Sequence, residues 1–474
     1  MFKDDAKRRC RDSLIHAVQK YSRPTEGQPS EYFFPINRLP RDLLAEVFVQ
    51  CLPEFESWAN IEHLSSEGVA PLLLCSICSP WRNLVLSVPR LWQRLSIRFA
   101  STTQSKTEEV IGLIHQWIKR SGALPLALSL RVVVVDDYLL GFEAMVEAVL
   151  GAFVQYVSRW EHFHYCCMND VSITFPDFGD MPHLRSFSLS NFSFNLRPKY
   201  AKLRISSWPM LTALSWPLHP TASSSPSPPW HQLTHLALDH FITAGETLLV
   251  IQSCPKLTEL EIEAYDDSDE NYILDLPPGI AVVNNCLRKF ALNVAESCAE
   301  LLKRLTLSVL IDMTLKFDSH VPHDHEELLH FFTRSKCKLD RLYLVDSASD
   351  DEKLLMCLEH DSCASVTDLS IVNMLDGPMP MVTDPILVAL TDVSSSNDSD
   401  ILLPKLAHLE FQMCLGGSPG MLGMMLVSRC IMLDEEDQLK TVKIVCPLLF
   451  PQDTVLLALA ETHGLKVTLD ISDM

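Results

Sequence analysis

The chain has 474 residues, of which 47% are hydrophobic and 21% are charged, so it has the composition of an ordered protein and the length for about two to four domains. Its formal net charge of −21 argues against a general nucleic-acid binder, because neutralising phosphates requires clustered Lys and Arg side chains, and the sequence shows no such cluster. The same charge makes basic proteins the more suitable partners.

The beginning of the chain and its longest apolar stretch predict neither a secretory signal nor a membrane span. Residues 1–30 contain several charged side chains and no apolar signal core, and we expect them to form a mobile lead-in. Residues 138–158 are apolar, but Glu143 and Glu147 lie one helical turn apart within them, which predicts an amphipathic helix. Fifteen irregularly spaced cysteines are typical of reduced, mostly buried thiols. We therefore expect a cytoplasmic or nuclear protein without membrane association.

Three short helices are predicted between residues 35 and 99. The first opens at Leu39-Pro40 and stops at Pro53, the second covers Leu72 to Cys78, and the third begins at Ser79 as N-cap and ends before Pro89. The first helix carries apolar residues at helical spacing, namely Leu43, Leu44, Val47, Phe48 and Cys51. So few residues cannot bury all this apolar surface among themselves, so part of it should face a partner.

This segment resembles an F-box in the form common in fungal proteins. The matching features are Leu39-Pro40, the helix with Val47-Phe48, Leu52-Pro53, the Cys78-x-x-Trp81 step and the ending Ser87 to Trp92. The sequence departs from the pattern in a long insert over residues 54–69 and in Pro80, which lies inside the Cys-x-x-Trp step. The resemblance implies that residues 31–99 dock on the Skp adaptor subunit and through it on a cullin. The residues it implies for this contact are Leu39, Pro40, Leu43, Leu44, Val47, Phe48, Leu52, Pro53, Ile77 and Trp81.

After this segment the sequence alternates between helices and strands. A helix is predicted over residues 107–120 and a strand over 126–130, after which the pattern L-x-x-L-x-L recurs with its apolar positions facing one way. Clear copies start at residues 184, 233, 257, 287, 339, 366 and 406, and weaker ones at 160, 211, 312, 439 and 464. The stretches predicted as helices between them include residues 244–252, 325–334, 352–360, 421–427 and 454–461.

The repeats resemble a leucine-rich-repeat solenoid, an α/β fold with a parallel sheet, over residues 100–474. The copies are irregular, because the position at which the family places Asn or Cys holds other residues such as Phe192, Phe241 and Tyr265. The backbone turn there must be satisfied in another way. Two polar inserts, residues 222–229 and 393–400, are expected to be mobile loops.

No combination of residues predicts catalysis or a cofactor. Cys75 and Cys78 form a CxxC inside an apolar helix, where packing is the favoured role. His325 and His330 are five residues apart, so they would not share a zinc ion on a helix. A soft metal site formed by His162, His164 and Cys166 on one strand face is an alternative that we weigh below an ordinary strand with exposed histidines. We predict a non-enzyme without a cofactor or metal.

The strand residues that alternate with the buried ones are the candidates for substrate binding. In successive repeats they are His235, Ala237 and Asp239, then Glu259, Glu261 and Glu263, then Lys289, Ala291 and Asn293. Three carboxylates on one strand repel one another and are hard to explain as a stabilising feature, so they are either a merely solvated strand or a binding surface for a basic segment. We predict substrate contacts at His235, Asp239, Glu259, Glu261 and Glu263.

These inferences predict the substrate-recognition adaptor of a Skp-cullin-F-box ubiquitin ligase. The alternative is a scaffold or tether that binds a protein through its repeats without any ligase. The sequence leaves open which substrate is bound and whether the repeats bind a protein or a small ligand.

Overall fold

The computed structural model of the protein describes part of the chain, which forms two compact units. The described residues are 36, 39–52, 70–100, 107–133, 142–167, 178–191, 207–216, 228–265, 281–295, 297–317, 324–346, 351–374, 381–391, 401–431 and 438–471. The first unit covers residues 1–211 with 223–228, and the second covers 212–222 with 229–474. The predictions for residues 1–30, Pro53, the insert 54–69, the loop 393–400 and most of 222–229 lie outside the described residues.

The first unit is mixed α/β with a parallel sheet in the order β1-β2-β3-β4. Its helices are α1 (Arg41–Gln50), α2 (Leu72–Ile77), α3 (Ser79–Ser87), α4 (Thr107–Arg120) and α5 (Phe142–Val154). Its strands are β1 (Arg94–Ala100), β2 (Leu126–Val133), β3 (Trp160–Cys167) and β4 (Ser186–Asn191).

The junction between α2 and α3 explains how Pro80 is accommodated. Cys78 has an extended backbone with φ −158° and separates the two helices, and Pro80 lies in the first turn of α3. Proline is tolerated there because the N–H groups of a first turn have no partner within the helix. Two helices were predicted here, and the structure has two, although Cys78 rather than Ser79 occupies the N-cap position.

The α1–α3 segment continues directly into the sheet of the first unit. A 3₁₀ turn over Pro89–Trp92 leads into β1, Trp92 packs edge-on against Trp117 of α4, and the Trp117 indole donates to the Arg94 carbonyl at 3.1 Å. The boundary that we predicted between residues 99 and 100 therefore falls inside β1, and the structure groups these helices with β1–β4 in one unit.

Helix α4 has the predicted bounds, and only part of its apolar surface is buried. Val110, Ile114 and Ile118 are buried, whereas Leu113 is exposed. Helix α5 buries most of its apolar residues and leaves Glu147 exposed, so the carboxylate is solvated. No helix among the described residues is both long enough and apolar enough to cross a membrane.

The second unit repeats the strand-helix alternation around a parallel sheet of ten strands in the order β5-β6-β7-β9-β11-β12-β13-β14-β15-β16. The strands are β5 (Ala213–Trp216), β6 (His235–Ile242), β7 (Glu259–Tyr265), β8 (Val282–Val283), β9 (Lys289–Val294), β10 (Leu305–Thr306), β11 (Asp312–Phe317), β12 (Arg341–Val345), β13 (Asp368–Val372), β14 (His408–Gln412), β15 (Thr441–Cys446) and β16 (Lys466–Ile471). The helices are α6 (Ala244–Ser253), α7 (Ala299–Arg304), α8 (His325–Ser335), α9 (Asp351–Leu358), α10 (Asp384–Ala389), α11 (Met421–Ile431) and α12 (Pro451–Thr462). Strands β8 and β10 pair with each other.

The apolar positions of the repeated pattern form the core beneath each strand. In β7, Leu257, Leu260 and Ile262 are almost fully buried while the residues between them face the other side of the sheet. One predicted start and the expected burial of one copy need correction. The buried triad of β11 is Leu310, Met313 and Leu315, so the pattern begins two residues before Asp312. The copy that starts at Gly464 forms β16, whose side chains are mostly exposed.

Threonine hydroxyls add a donor to backbone carbonyls at the strand entries, which already accept from backbone N–H groups of the next strand. Thr234 Oγ1 donates to the Thr212 carbonyl at 3.1 Å, and Thr258 Oγ1 donates to the Thr234 carbonyl at 2.9 Å. Arginine does the same at the helix ends, because the buried Arg429 guanidinium donates to the carbonyls of Leu390, Leu402 and Leu403. Each buried carbonyl left without a donor would cost about 1–3 kcal/mol.

Candidate functional site

Helix α1 divides the predicted partner contacts between its own core and the surface. Leu44 and Phe48 are buried, and the Phe48 ring packs against the buried Trp81 ring with centroids 4.7 Å apart. We predicted these three residues as binding anchors, but in this structure they form the core of α1–α3 together with Leu84 and Val85. The helices need these side chains for their own packing, so they present no surface to a partner in this conformation.

The start of α1 carries the apolar side chains that the core does not use. Leu39 is 38% exposed and Leu43 is 56% exposed, and Pro40 between them is exposed as well. Leu39 precedes the N-cap residue Pro40, and Leu43 lies in the first turn of α1, so the three residues are close together in the chain at the helix start. Of the other predicted contacts, Val47, Leu52 and Ile77 are half-buried. Leu39, Pro40 and Leu43 are called the α1 patch below.

Charged side chains bridge α1 and the 3₁₀ turn after α3. Glu46 on α1 accepts from Arg90 with Oε2 and Nη1 2.6 Å apart, and both side chains are about half exposed. An exposed pair of this kind contributes only about 0–1 kcal/mol to stability.

The second candidate surface is the polar face of the sheet around β7. The burial of β7 alternates as predicted, with Leu260 and Ile262 inside and Glu259, Glu261 and Glu263 on the opposite face. Parallel pairing places Glu259 between His235 and Lys289, and Glu261 between Ala237 and Ala291. The three carboxylates therefore have different neighbours.

Glu259 has a basic side chain on each adjacent strand, a histidine on β6 and a lysine on β9. Its Oε1 lies 3.3 Å from Nε2 of His235 and its Oε2 lies 3.9 Å from Nζ of Lys289. From the sequence alone, the three carboxylates form a repelling group that packing does not explain. For Glu259 that expectation needs correction, because the adjacent strands supply the compensating charges.

Beyond Lys289, basic and acidic side chains alternate along the same row of the sheet. Asp312 on β11 pairs in register with Lys289 on β9 and with Arg341 on β12, whose Nη1 lies 3.5 Å from Asp312 Oδ2. Asp368 on β13 follows in register after Arg341. Opposite charges on directly neighbouring strands stabilise a sheet by about 0.2–1 kcal/mol per pair. This first row is therefore electrostatically balanced by the sheet itself.

Glu261 and Glu263 differ from Glu259. Alanines flank Glu261 on both neighbouring strands, and Glu261 is exposed while Glu263 is half-buried. Burial, the charge of Glu261 and a hydrogen bond between the two side chains raise the pKa of Glu263, and Lys316 opposes this shift. Asp239 is half-buried on β6, just beyond Leu238, where the register with β7 shifts. Glu261 and Glu263, called the β7 acidic pair below, are the carboxylates of β7 with least compensation from adjacent strands.

The polar face of the first unit has a different chemistry. Arg98 on β1 and Arg131 on β2 are register partners, and Cys166 on β3 follows in the same row. His164 Nδ1 lies 2.9 Å from Ser188 Oγ, and burial together with the charge of Arg131 lowers the pKa of His164 to about 4. Sequence reasoning missed this pair of arginines, although both occupy the outward positions of their strands.

The residues weighed for other chemistry lie in ordinary structural surroundings. His162, His164 and Cys166 follow one another on the same face of β3, with Cys166 buried, and no group of three or more His, Cys, Asp or Glu residues suited to a metal ion is found among the described residues. Burial raises the pKa of the Cys75 thiol more than Arg120 and Arg82 lower it, so Cys75 does not have the lowered pKa of an activated thiolate. Burial also raises the pKa of Cys254 and of Cys414 to about 12.

The chain was compared with models of protein families and with curated proteins, and neither comparison gave a match.

Proposed function

We propose that this chain is the substrate-recognition adaptor of a Skp-cullin-F-box ubiquitin ligase. In this proposal the α1–α3 segment is an F-box that binds the Skp adaptor subunit, and the strand-helix repeats are a leucine-rich-repeat-like solenoid that binds the substrate. The proposal rests on the resemblance of residues 31–99 to an F-box and on the geometry of α1. The chain itself would carry out no chemistry, since ubiquitin transfer would belong to other subunits.

The observation that carries the proposal is the α1 patch. Leu39, Pro40 and Leu43 remain exposed although a complete aromatic and aliphatic core lies directly beneath them. Apolar side chains of this size at the start of a helix gain free energy when a partner removes them from water, at about 25 cal/mol per Å² of apolar area. The residues of the resemblance thus fall into a supporting core and a surface that is available for contact.

The repeats support the second half of the proposal through their connectivity. The strands of the second unit follow the chain order, apart from the separate β8 and β10 pair, so each helix links two parallel neighbours. Such a succession presents one continuous row of strands, on which a substrate segment can contact several repeats at once. A rigid arm of this kind would raise the effective concentration of substrate lysines near the ubiquitin carrier.

The substrate contact that we propose centres on the β7 acidic pair. A basic segment of the substrate would supply the compensating cation that adjacent strands do not supply to Glu261, and its charge would oppose the rise in the pKa of Glu263. His235 and Glu259 would contribute less, because each already has the other as an ion-pair partner. Such an attraction weakens as salt screens it.

The decisive experiment is co-purification of the full chain with a Skp subunit. We expect the double variant Leu39→Ala, Pro40→Ala to lose the complex, because it removes exposed apolar contacts without opening the core. Its free energy of unfolding should change by no more than about 1 kcal/mol. Leu113→Ala is the matched control, since Leu113 is an equally exposed leucine on α4.

Two outcomes would contradict the proposal. A double variant that binds the Skp subunit as well as the wild type would exclude the α1 patch, and a wild-type chain that captures a protein through its repeats but no Skp subunit would identify a tether.

The substrate half is tested separately, on proteins captured by the wild-type chain. Glu261→Gln with Glu263→Gln should weaken capture and reduce its salt dependence while the Skp contact is retained. Glu259→Gln is the control, because its charge is already balanced within the sheet. Equal capture by the double variant at low and high salt would exclude this face.

A further inference from the structure

The sheet of the second unit ends at β16, and this strand has one unpaired edge among the described residues. Strand β16 pairs in parallel with β15 from Lys466 to Ile471, and no described strand pairs with its outer edge. The Lys466 N–H donates to the Lys440 carbonyl on the β15 side at 3.0 Å. Since backbone groups alternate along a strand, the N–H groups of Val467, Leu469 and Ile471 point towards the outer edge.

The side chains at this edge are apolar on the face that is buried elsewhere in the sheet. Leu469 and Ile471 are register partners of Ile444 and Cys446, which are buried, yet Leu469 is 41% exposed and Ile471 is 53% exposed. On the preceding helix α12, Val455 and Leu459 are one turn apart and are exposed as well. The last repeat therefore leaves both an open row of hydrogen-bonding groups and an apolar strip.

The other face of β16 carries a symmetric arrangement of charge. Lys466 and Asp470 are both exposed, and each lies two residues from Thr468. A lone charge at such an edge would keep another strand away. Two opposite charges at equal distances from a central residue have a different consequence, because the strand becomes complementary to its own antiparallel copy.

We propose that this edge binds a second copy of the chain through antiparallel pairing of β16 with β16, centred on Thr468. In this register Lys466 lies opposite Asp470 of the second copy and Asp470 lies opposite its Lys466. Val467 pairs with Leu469 of the second copy, and Leu469 pairs with its Val467. The interface is isologous, as a two-fold axis through Thr468 requires.

The backbone directions agree with this register. The outward N–H groups of Val467 and Leu469 meet each other's carbonyls across the axis, so these residues form the hydrogen-bonded pairs. Lys466, Thr468 and Asp470 fall in the non-hydrogen-bonded pairs, where opposite Cα atoms are closest, at about 4.5 Å. The charged pairs therefore stand where cross-strand attraction is strongest, and α12 of each copy brings its apolar strip to the same side.

The inference is independent of the proposed function, and a charge-exchange experiment tests it. The molar mass of the purified full-length chain is measured over a concentration series by size-exclusion chromatography with light scattering. The wild type should form a dimer. Lys466→Asp and Asp470→Lys should each weaken it, by about tenfold in Kd, because each single variant places like charges opposite one another twice. The double variant Lys466→Asp, Asp470→Lys should restore the dimer.

A control and a second variant distinguish pairing at this edge from a general effect of charge on association. Lys256→Asp changes the charge equally at an exposed turn before β7 and should leave the dimer unchanged. Leu469→Pro removes one outward N–H and should abolish the dimer while leaving the β15 ladder intact.

A wild type that stays monomeric at all concentrations would overturn the proposal, and so would a dimer that both single charge variants leave unchanged. A double variant that stays as weak as the single variants would exclude the register centred on Thr468.

Discussion

Helix α1 and strand β7 both carry residues that sequence patterns select for binding, and the structure distributes these residues in different ways. On β7 the assignment of faces follows directly from alternation, with Leu260 and Ile262 inside and the three glutamates outside. On α1 the neighbouring Leu43 and Leu44 take opposite roles, one at the surface and one in the core. A strand separates two faces by its period of two, whereas a short helix in a small cluster divides its apolar residues between its own core and the surface.

Because Leu44 is buried and Leu43 is exposed, replacing them should lower the free energy of unfolding by very different amounts. Leu44→Ala should lower the free energy of unfolding of the helical segment by about 2–5 kcal/mol, because it opens a cavity beside Phe48. Leu43→Ala, the adjacent and chemically identical change, should cost less than about 0.5 kcal/mol, because Leu43 is exposed. Denaturant unfolding monitored by tryptophan fluorescence measures both variants. Similar losses for the two variants would mean that α1 does not pack as described.

A smaller effect, dependent on pH, tests the β7 acidic pair. Because burial and Glu261 raise the pKa of Glu263, the folded chain binds this proton more tightly than the unfolded chain. The ionised carboxylate therefore reduces stability once the pH is above the folded pKa, and the penalty disappears as the pH falls below the ordinary value of 4.5. Glu263→Gln should raise the melting temperature at pH 7.5 and leave it unchanged at pH 4.

Thermal unfolding at the two pH values measures the Glu263 effect, and Glu352→Gln on the exposed side of α9 is the control. The control should show no such difference between the two pH values. If Glu263→Gln lowered the melting temperature at pH 7.5, the two carboxylates would have to be held by cations rather than opposed to each other.

Replacing Glu259 should change stability less than replacing Leu44 or Glu263, because Glu259 has basic neighbours on both adjacent strands. Glu259→Gln should reduce stability by about 0–1 kcal/mol, because its contacts with His235 and Lys289 are exposed and screened by solvent. The loss should shrink further in high salt. Chemical denaturation at two salt concentrations measures it, and a gain in stability would show that the first row of the sheet is not balanced in the way that its distances indicate.

The amino-acid pattern alone was sufficient to assign the alternation of strands and helices after residue 100 and the buried side of most of those strands, but it did not predict β1, β8 or β10. Period-two alternation needs no tertiary information, so the triad Leu257, Leu260 and Ile262 could be assigned to the core from the pattern. The exceptions are local. Leu113 is exposed although it fits the helical face, and the β16 copy is exposed because it ends the described sheet.

Charge compensation between the outward-facing side chains of the sheet, in contrast, depends on the three-dimensional fold. His235, Glu259, Lys289 and Asp312 come from four strands, and nothing in their sequence spacing shows that they share one row. The register of parallel strands creates this row, and it also separates Glu259 from the β7 acidic pair. In the same way, packing against Trp81 rather than the motif itself determined that Phe48 is interior, while Leu43 stays exposed. Strand pairing and core packing join residues distant in the chain, and a local sequence pattern contains no information about either.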